Sequence, residues 1–251
     1  MEDNVYIKRL DVVDSTNRYA RDEARTLWNG SGGCDIIAIT ARHQTAGRGQ
    51  RGNNWHSAAG ENLLMSILVC PGKTLKVTEQ FLLSQAVALA VHDTMQNYGI
   101  DTRLKWPNDI YTGNKKLAGI LVELDYSGVF VEQAIIGIGV NVNQCEFPAM
   151  ERTPVSIKML LKEEFAVDNV MHDLLDKFTR RYTQLRDSKE KTIAQEYERL
   201  LLGFGEECQF IDSNGKFTAI ITGVEPCGRL ILHTKDGGTR TYAFKEVEMV
   251  L

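Results

Sequence analysis

Gln44-Thr45-Ala46-Gly47-Arg48-Gly49-Gln50-Arg51-Gly52-Asn53-Asn54-Trp55 is a polar, glycine-rich stretch between two short apolar runs, 36–41 and 63–69. Runs of that length and composition read as buried strands, so the stretch between them is a long surface loop, where function rather than packing tends to lie. No acidic residue occurs between Asp35 and Glu61, while Arg42, Arg48 and Arg51 do, so the loop is cationic. An anion is its natural ligand. Glycines allow positive φ and close backbone approach, amides can converge on phosphate or carboxylate oxygens, and the arginines neutralise charge. No Lys-Ser or Lys-Thr pair follows the glycines and the Rossmann spacing is missing, so this is neither a Walker loop nor a dinucleotide fingerprint. A flexible basic surface loop has the same composition.

Outward from the loop, residues 5–10 alternate like a strand, and Asp14-Ser15-Thr16-Asn17 supplies N-cap residue types for a helix reaching about Trp28. Downstream, apolar spacing of three and four predicts a helix over 78–98, ended by Gly99. The runs 117–124 and 129–142 are predicted strands, joined near Tyr126-Ser127-Gly128 and expected to pair. Helices follow from Val170 to Leu185 and over 191–202. At Gly203 the texture changes to short alternating strands. Turns at Ser213-Asn214-Gly215, Pro226-Cys227-Gly228 and Asp236-Gly237-Gly238 predict a β-barrel of about four strands. The expected domains are therefore 1–202 and 203–251. The second is too small to hold a large core of its own and is expected to pack on the first.

The 251 residues, 43% hydrophobic and 25% charged, match an ordinary soluble globular protein. A formal charge of -4 gives no chain-wide reason to bind nucleic acid. The longest wholly apolar run, 86–91, is far short of the roughly 18 residues a membrane-spanning helix needs. The acidic start Met1-Glu2-Asp3-Asn4 is unlike a secretory signal, so a cytoplasmic location is expected. Five scattered cysteines without a C-x-x-C predict buried thiols in a reducing compartment and no metal-binding set.

Two more constellations stand out. In Lys105-Trp106-Pro107-Asn108-Asp109, the proline keeps Trp106 extended and presents Asn108 and Asp109 at a strand tip, as ligands for a metal or an ammonium group. Lys116, just before an apolar strand, could be held at a sheet end, where a paired Asp and Lys serve acyl or phosphoryl transfer. A solvated hairpin tip at Gly113-Asn114-Lys115-Lys116 is the plainer reading. In Gly137-Ile138-Gly139-Val140-Asn141-Val142-Asn143, glycines admit close approach and Asn141 can face an adenine edge, although strand-ending asparagines are often turn formers.

Taken together and in order, from about residue 8 to 145, these blocks closely resemble the catalytic core of biotin protein ligases, and the C-terminal β module fits that family. The resemblance implies an α+β fold: a mixed β-sheet flanked by helices, related to class II aminoacyl-tRNA synthetases, with a small C-terminal SH3-like β-barrel. It implies that biotin and ATP, with Mg²⁺, are joined to biotinyl-5′-AMP with release of pyrophosphate. Biotin then passes to a lysine of the biotin carboxyl carrier protein of acetyl-CoA carboxylase or a related carboxylase. By the same resemblance Ser15, Thr16 and Asn17 line the biotin head-group site. Gln44, Gly47, Arg48, Gly49 and Gln50 form the biotin and adenylate loop, Lys116 sits on the carboxylate and α-phosphate, and Gly119 gives the ligand room. Trp55 and Asn141 match adenine-site positions, and Arg51 and Asn108 match positions near the phosphates. No metal ligand is assigned.

This assignment has a physical logic. Two anions must be brought in line for adenylation, and Arg48, Lys116 and Mg²⁺ would screen their repulsion. Asp109 would orient the incoming amine or accept its proton, or else form a structural ion pair with Lys105 or Lys116. The loop begins too near the chain start for a helix-turn-helix domain, so no specific DNA binding or repressor activity is expected, and a homodimer through a sheet edge is possible. Competing readings are a lipoate or octanoate ligase of the same fold and an RNA-binding protein using the basic loop beside Trp55, the latter weakened by the acidic overall charge. Many bacterial relatives carry arginine where this chain has Gln50. Biotinyl-adenylate should therefore leave the wild-type protein faster than a Gln50→Arg variant, and equal release rates in a chase experiment would refute this.

Overall fold

The computed structural model describes residues 5–149, 152–187, 190–235 and 237–250, with the side chain of Arg51 left out. Asp236, in the third predicted turn, lies outside the described residues. The first strand, β1 (Val5–Val13), leads into α1 (Thr16–Asp22) and α2 (Ala24–Gly30). The single helix expected here is broken at Glu23, whose φ of -102° and ψ of 7° leave the helical region. Only Ala20 and Leu27 offer buried aliphatic side chains along the run, so packing does little to hold it continuous. Next come β2 (Ile36–Gln44), β3 (Leu63–Val69), the short β4 (Gly72–Lys76) and α3 (Phe81–Asn97). β5 (Arg103–Lys105), β6 (Asp109–Thr112), β7 (Lys115–Ser127) and β8 (Phe130–Val140) complete the large sheet.

That sheet runs in the order β1-β2-β3-β8-β7-β6-β5, with β4 also on β8. β1 and β2 are parallel and the other pairs antiparallel, so the sheet is mixed. The expected pairing of β7 with β8 is present, from Ala118 opposite Val140 to Ser127 opposite Phe130. Alternation sends Ile36, Ala38, Ile67, Ile136 and Ile138 to one face, where α3, α5 (Val167–Arg186) and α6 (Glu190–Leu200) cover them. The opposite face carries Ile37, Ile39, Leu68 and Ile135 against α1 and α2. These two short helices cover only part of that face. On the same face Gly119, Gly137 and Gly139 form a strip without side chains, on which Asn17 and Trp55 pack.

A short helix, α4 (Ile157–Leu161), precedes α5 and is capped by the Ser156 hydroxyl, which accepts from the Met159 amide at 3.2 Å. After α6 the second sheet is built from β9 (Glu207–Asp212), β10 (Gly215–Val224), β11 (Leu230–Thr234), β12 (Thr239–Tyr242) and β13 (Val247–Met249). All its pairs are antiparallel, in the open order β12-β11-β10-β9-β13. It has five strands rather than about four, and its ladder does not close among the described residues.

As expected, this sheet packs on the larger unit. Trp106 Nε1 donates to the Gly228 carbonyl at 3.0 Å, and its ring lies 5.3 Å from Phe244, which in turn meets Phe81 at 5.9 Å. The thiols depart from expectation. Cys70, Cys145 and Cys227 are exposed and Cys34 and Cys208 half-buried, because all but Cys208 sit outside regular strands and helices. Among the described residues no helix is long and apolar enough to cross a membrane.

The helical layer is pinned by one cation. Arg181 on α5 donates Nε and Nη2 to the Asp93 carboxylate of α3 at 2.7 and 3.1 Å, and Nη1 to Glu196 of α6 at 2.5 Å. Its side chain is 13% exposed, so removing it strands two half-covered carboxylates. Arg181→Met should lower stability by about 1–3 kcal/mol, seen as a lower urea midpoint at unchanged slope. Lysine should rescue this only in part, because it lacks the planar fork that matches the Asp93 carboxylate.

Candidate functional site

The loop after β2 folds back on itself around a single 3-10 turn at Gln50–Gly52. The Trp55 amide donates to the Gly47 carbonyl at 2.9 Å, and the Gly49 amide to the Asn53 carbonyl at 2.7 Å. These two amides bond within the loop and are not available to an anion. Of the three glycines only Gly52 takes a positive φ, +87°, while Gly47 is required because a Cβ there would lie 2.5 Å from the Trp55 carbonyl oxygen.

Beneath the loop lies a buried polar string. Ser15, Thr16 and Asn17 open α1 and are 3%, 3% and 2% exposed. The Thr16 amide donates to Gln44 Oε1 at 2.7 Å, and the Thr16 hydroxyl lies 3.0 Å from the same oxygen. Ser66 Oγ sits 2.7 Å from Thr16 Oγ1 and 2.6 Å from Asn17 Oδ1. Asn17 Nδ2 donates to Glu123 Oε2 at 2.9 Å, and the other Glu123 oxygen is 3.3 Å from Arg48 Nη1. Sequence reasoning did not single out Ser66 or Glu123. Each carries a readable signal: the one polar side chain of 63–69, and the one charge in 117–124.

On the other side of the cleft Lys116 Nζ is 2.7 Å from Asp109, which selects the Lys116 partner of the two ion pairs considered for that carboxylate. The Lys116 ammonium also lies 5.7 Å from the centre of the Trp55 ring. Asn108 donates Nδ2 to the Ile120 carbonyl at 2.7 Å, and its main-chain carbonyl accepts from the Ile120 amide at 2.9 Å. Lys105, which opens the motif but was given no site role from the sequence, is 8% exposed beside them. Burial, aided by the Arg152 and Lys116 charges and opposed by Asp109 and Glu248, pushes its ammonium down to about 8.

Together these walls enclose a cleft of about 1670 Å³. It is lined by Ser15, Thr16, Asn17 and Gln44 at one end and by Asn108, Asp109, Lys116 and Gly119 at the other, with Arg48, Gly49, Gln50 and Trp55 from the loop. The second sheet adds Arg240 and Lys245. Gly47 and Asn141 do not line it. Asn141 is buried, and its Nδ2 donates to the Val155 carbonyl at 3.1 Å and the Lys116 carbonyl at 3.3 Å, so it braces the strand end instead. The Arg51 side chain lies outside the described residues.

Gly119 and Gly139 face each other across β7 and β8. The Trp55 indole lies over both: a Cβ on Gly139 would meet it at 2.4 Å and one on Gly119 at 3.0 Å. Gly139→Ala should therefore displace the indole, shifting its fluorescence emission and weakening ligand binding while leaving the unfolding midpoint nearly unchanged. An unaltered emission spectrum would count against this packing.

The sequence profile of the Biotin/lipoate A/B protein ligase family matches residues 10–141, and that of the Biotin protein ligase C terminal domain matches residues 203–250. The bifunctional ligase/repressor BirA of Bacillus subtilis (strain 168) is 34% identical over 236 residues, covering 93% of this chain and 71% of the relative. The biotin–[acetyl-CoA-carboxylase] ligase of Mycobacterium tuberculosis is 30% identical over 255 residues, covering 97% of this chain and 89% of the relative. Among solved structures, the biotin protein ligase from Aquifex aeolicus in complex with biotin and ATP superposes with a TM-score of 0.79 at 27% identity, over 98% of both chains. Two family profiles matched in order, relatives spanning nearly the whole chain and a common fold all agree: the chain belongs to the biotin protein ligases.

Proposed function

We infer that this chain activates biotin with ATP to biotinyl-5′-AMP, releasing pyrophosphate, and then transfers biotin to a lysine of a carboxyl carrier protein. The observation that carries the reading is the polarity of the cleft. One end is an uncharged hydrogen-bonding wall of Ser15, Thr16, Asn17 and Gln44, suited to a neutral ureido ring, and the other holds Lys116 and Lys105, suited to carboxylate and phosphate. Arg48, from the loop, is held by Glu123 beside the neutral wall.

Adenylation requires the biotin carboxylate oxygen to attack the α-phosphorus while pyrophosphate leaves. Both reactants are anionic. Before they arrive, Lys116 is compensated by Asp109 and Arg48 by Glu123. Substrate oxygens compete for these two cations, which then screen the repulsion and stabilise charge at the pentacoordinate phosphorus. Asp109, relieved of Lys116, becomes free to orient the carrier amine or accept its proton. The amine nitrogen then attacks the biotinyl carbonyl and AMP departs. Gly119 keeps that approach open, and Trp55 covers it from the loop side.

Among the described residues no three His, Cys, Asp or Glu side chains converge to hold a metal. The side chains of Asp109 and Asn108, both lining the cleft, would hold a magnesium ion bound largely through the phosphates of ATP, a usual arrangement for that ion. When bound it neutralises phosphate charge. We read residues 1–202 as the catalytic unit and 203–251 as an SH3-like unit that closes one side of the cleft. Past Ile120 the outer edge of β7 has no strand partner among the described residues, and its open amides and carbonyls suit a docking carrier segment or a second copy of the chain. A cytoplasmic setting is consistent with carboxylase carriers as partners.

Biotin-dependent exchange of label between pyrophosphate and ATP isolates the first step. The wild-type protein should support exchange with biotin but not with lipoate, and Lys116→Ala should lower it by about 100-fold or more. Exchange driven by lipoate alone would move the lipoate ligase reading ahead.

A further inference from the structure

We propose that Glu123 is a positioning residue that sets the donor and acceptor polarity of the head-group site; this rests on reading Ser15, Thr16 and Asn17 as the biotin end of the cleft. Glu123 lies on β7, 19% exposed in its side chain, on the face that α1 covers. One oxygen accepts from Asn17 Nδ2 at 2.9 Å. The other faces Arg48 at 3.3 Å, with Arg21 at 4.0 Å.

An asparagine amide is nearly symmetrical in shape, so only its partners decide which way it points. Asn17 Nδ2 has two hydrogens, one directed to Glu123 and one toward the Leu121 carbonyl at 3.4 Å. A flip would set Asn17 Oδ1 against a carboxylate, so the charge on Glu123 selects a single orientation. Oδ1 then faces Ser66, and the one hydrogen of that hydroxyl goes to it at 2.6 Å. Ser66 has no hydrogen left for Thr16. The Thr16 hydrogen is therefore shared between two acceptors, Ser66 Oγ at 2.7 Å and Gln44 Oε1 at 3.0 Å.

The donors of Ser66 and Asn17 thus point one way, toward Glu123. The carboxylate also polarises the amide, which strengthens Asn17 Oδ1 as an acceptor. Its second lone pair remains available for a ureido N–H. Without a fixed charge at the end of the string, it can run in either direction, and the site loses its preference for that donor.

Glu123→Gln tests this, because it keeps shape and removes charge. Biotin affinity, measured by calorimetry without ATP, should fall about 10- to 100-fold, the cost of weakening a charge-assisted, buried hydrogen-bond string. The double variant with Asn17→Ala should bind no more weakly than Asn17→Ala alone, since Glu123 acts through Asn17. Biotin affinity within twofold of wild type, or coupling to Arg48 but not to Asn17, would overturn the proposal. Should Glu123→Gln unfold, Ser66→Ala cuts the string one link away and must give a comparable loss for the proposal to stand. A wild-type protein that binds no biotin would overturn the ligase reading as well, which separates the two failures.

Discussion

A hydroxyl with no access to water, that of Ser66, must find partners inside the protein, because an unsatisfied buried polar group costs about 1–3 kcal/mol. It finds them on Thr16 and Asn17, and that requirement places the start of α1 against β3. The same two residues reach Gln44 at the end of β2 and Glu123 on β7. Three strands and a helix are thereby registered by one polar string, in a layer whose remaining contacts are apolar and non-directional. The cleft inherits its shape from this. Its neutral wall is the open side of the string, and the glycines of β7 and β8 are the floor beside it.

Electrostatics at the cleft follow a rule of compensation. Three of the cations that face it have a carboxylate within reach, Lys116 with Asp109, Arg48 with Glu123 and Arg152 with Glu248, so much of the charge lining the cleft is compensated. A chain of net charge -4 can in this way present a local anion site without a broad basic surface. Substrate binding is then an exchange of ion pairs. The carboxylates released by it are positioned for the next event, which in the transfer step is the arrival of an amine.

Much of this was legible before any coordinates. Strands 63–69 and 117–124, the helix ended by Gly99 and the change of texture at Gly203 follow from local periodicity and turn chemistry, which act over a few residues. Most of the residues assigned to the cleft also arrive there, because the motifs are themselves strand ends and loops. What was not legible depends on long-range packing. The break at Glu23, the exposed thiols and the open edge of the second sheet are settled by neighbours far away in sequence. Asn141 shows the same limit: its position at a strand end was readable, but only the course of 153–157 beside it decides that its amide braces backbone carbonyls. Ser66 and Glu123 each broke an apolar pattern, and an interrupted pattern in a buried strand is a signal of its own.

The joint between the two sheets has a consequence for how such chains diversify. Trp106 belongs to a cleft motif, yet its indole nitrogen is engaged by the Gly228 carbonyl and its ring by Phe244, both from the smaller unit. Drift in the turn at 226–228 is therefore felt at Asn108 and Asp109, two and three residues along the chain. A chimera that exchanges the C-terminal unit between relatives would have to carry Trp106 and Phe81 with it, so the heritable module is larger than the compact body suggests.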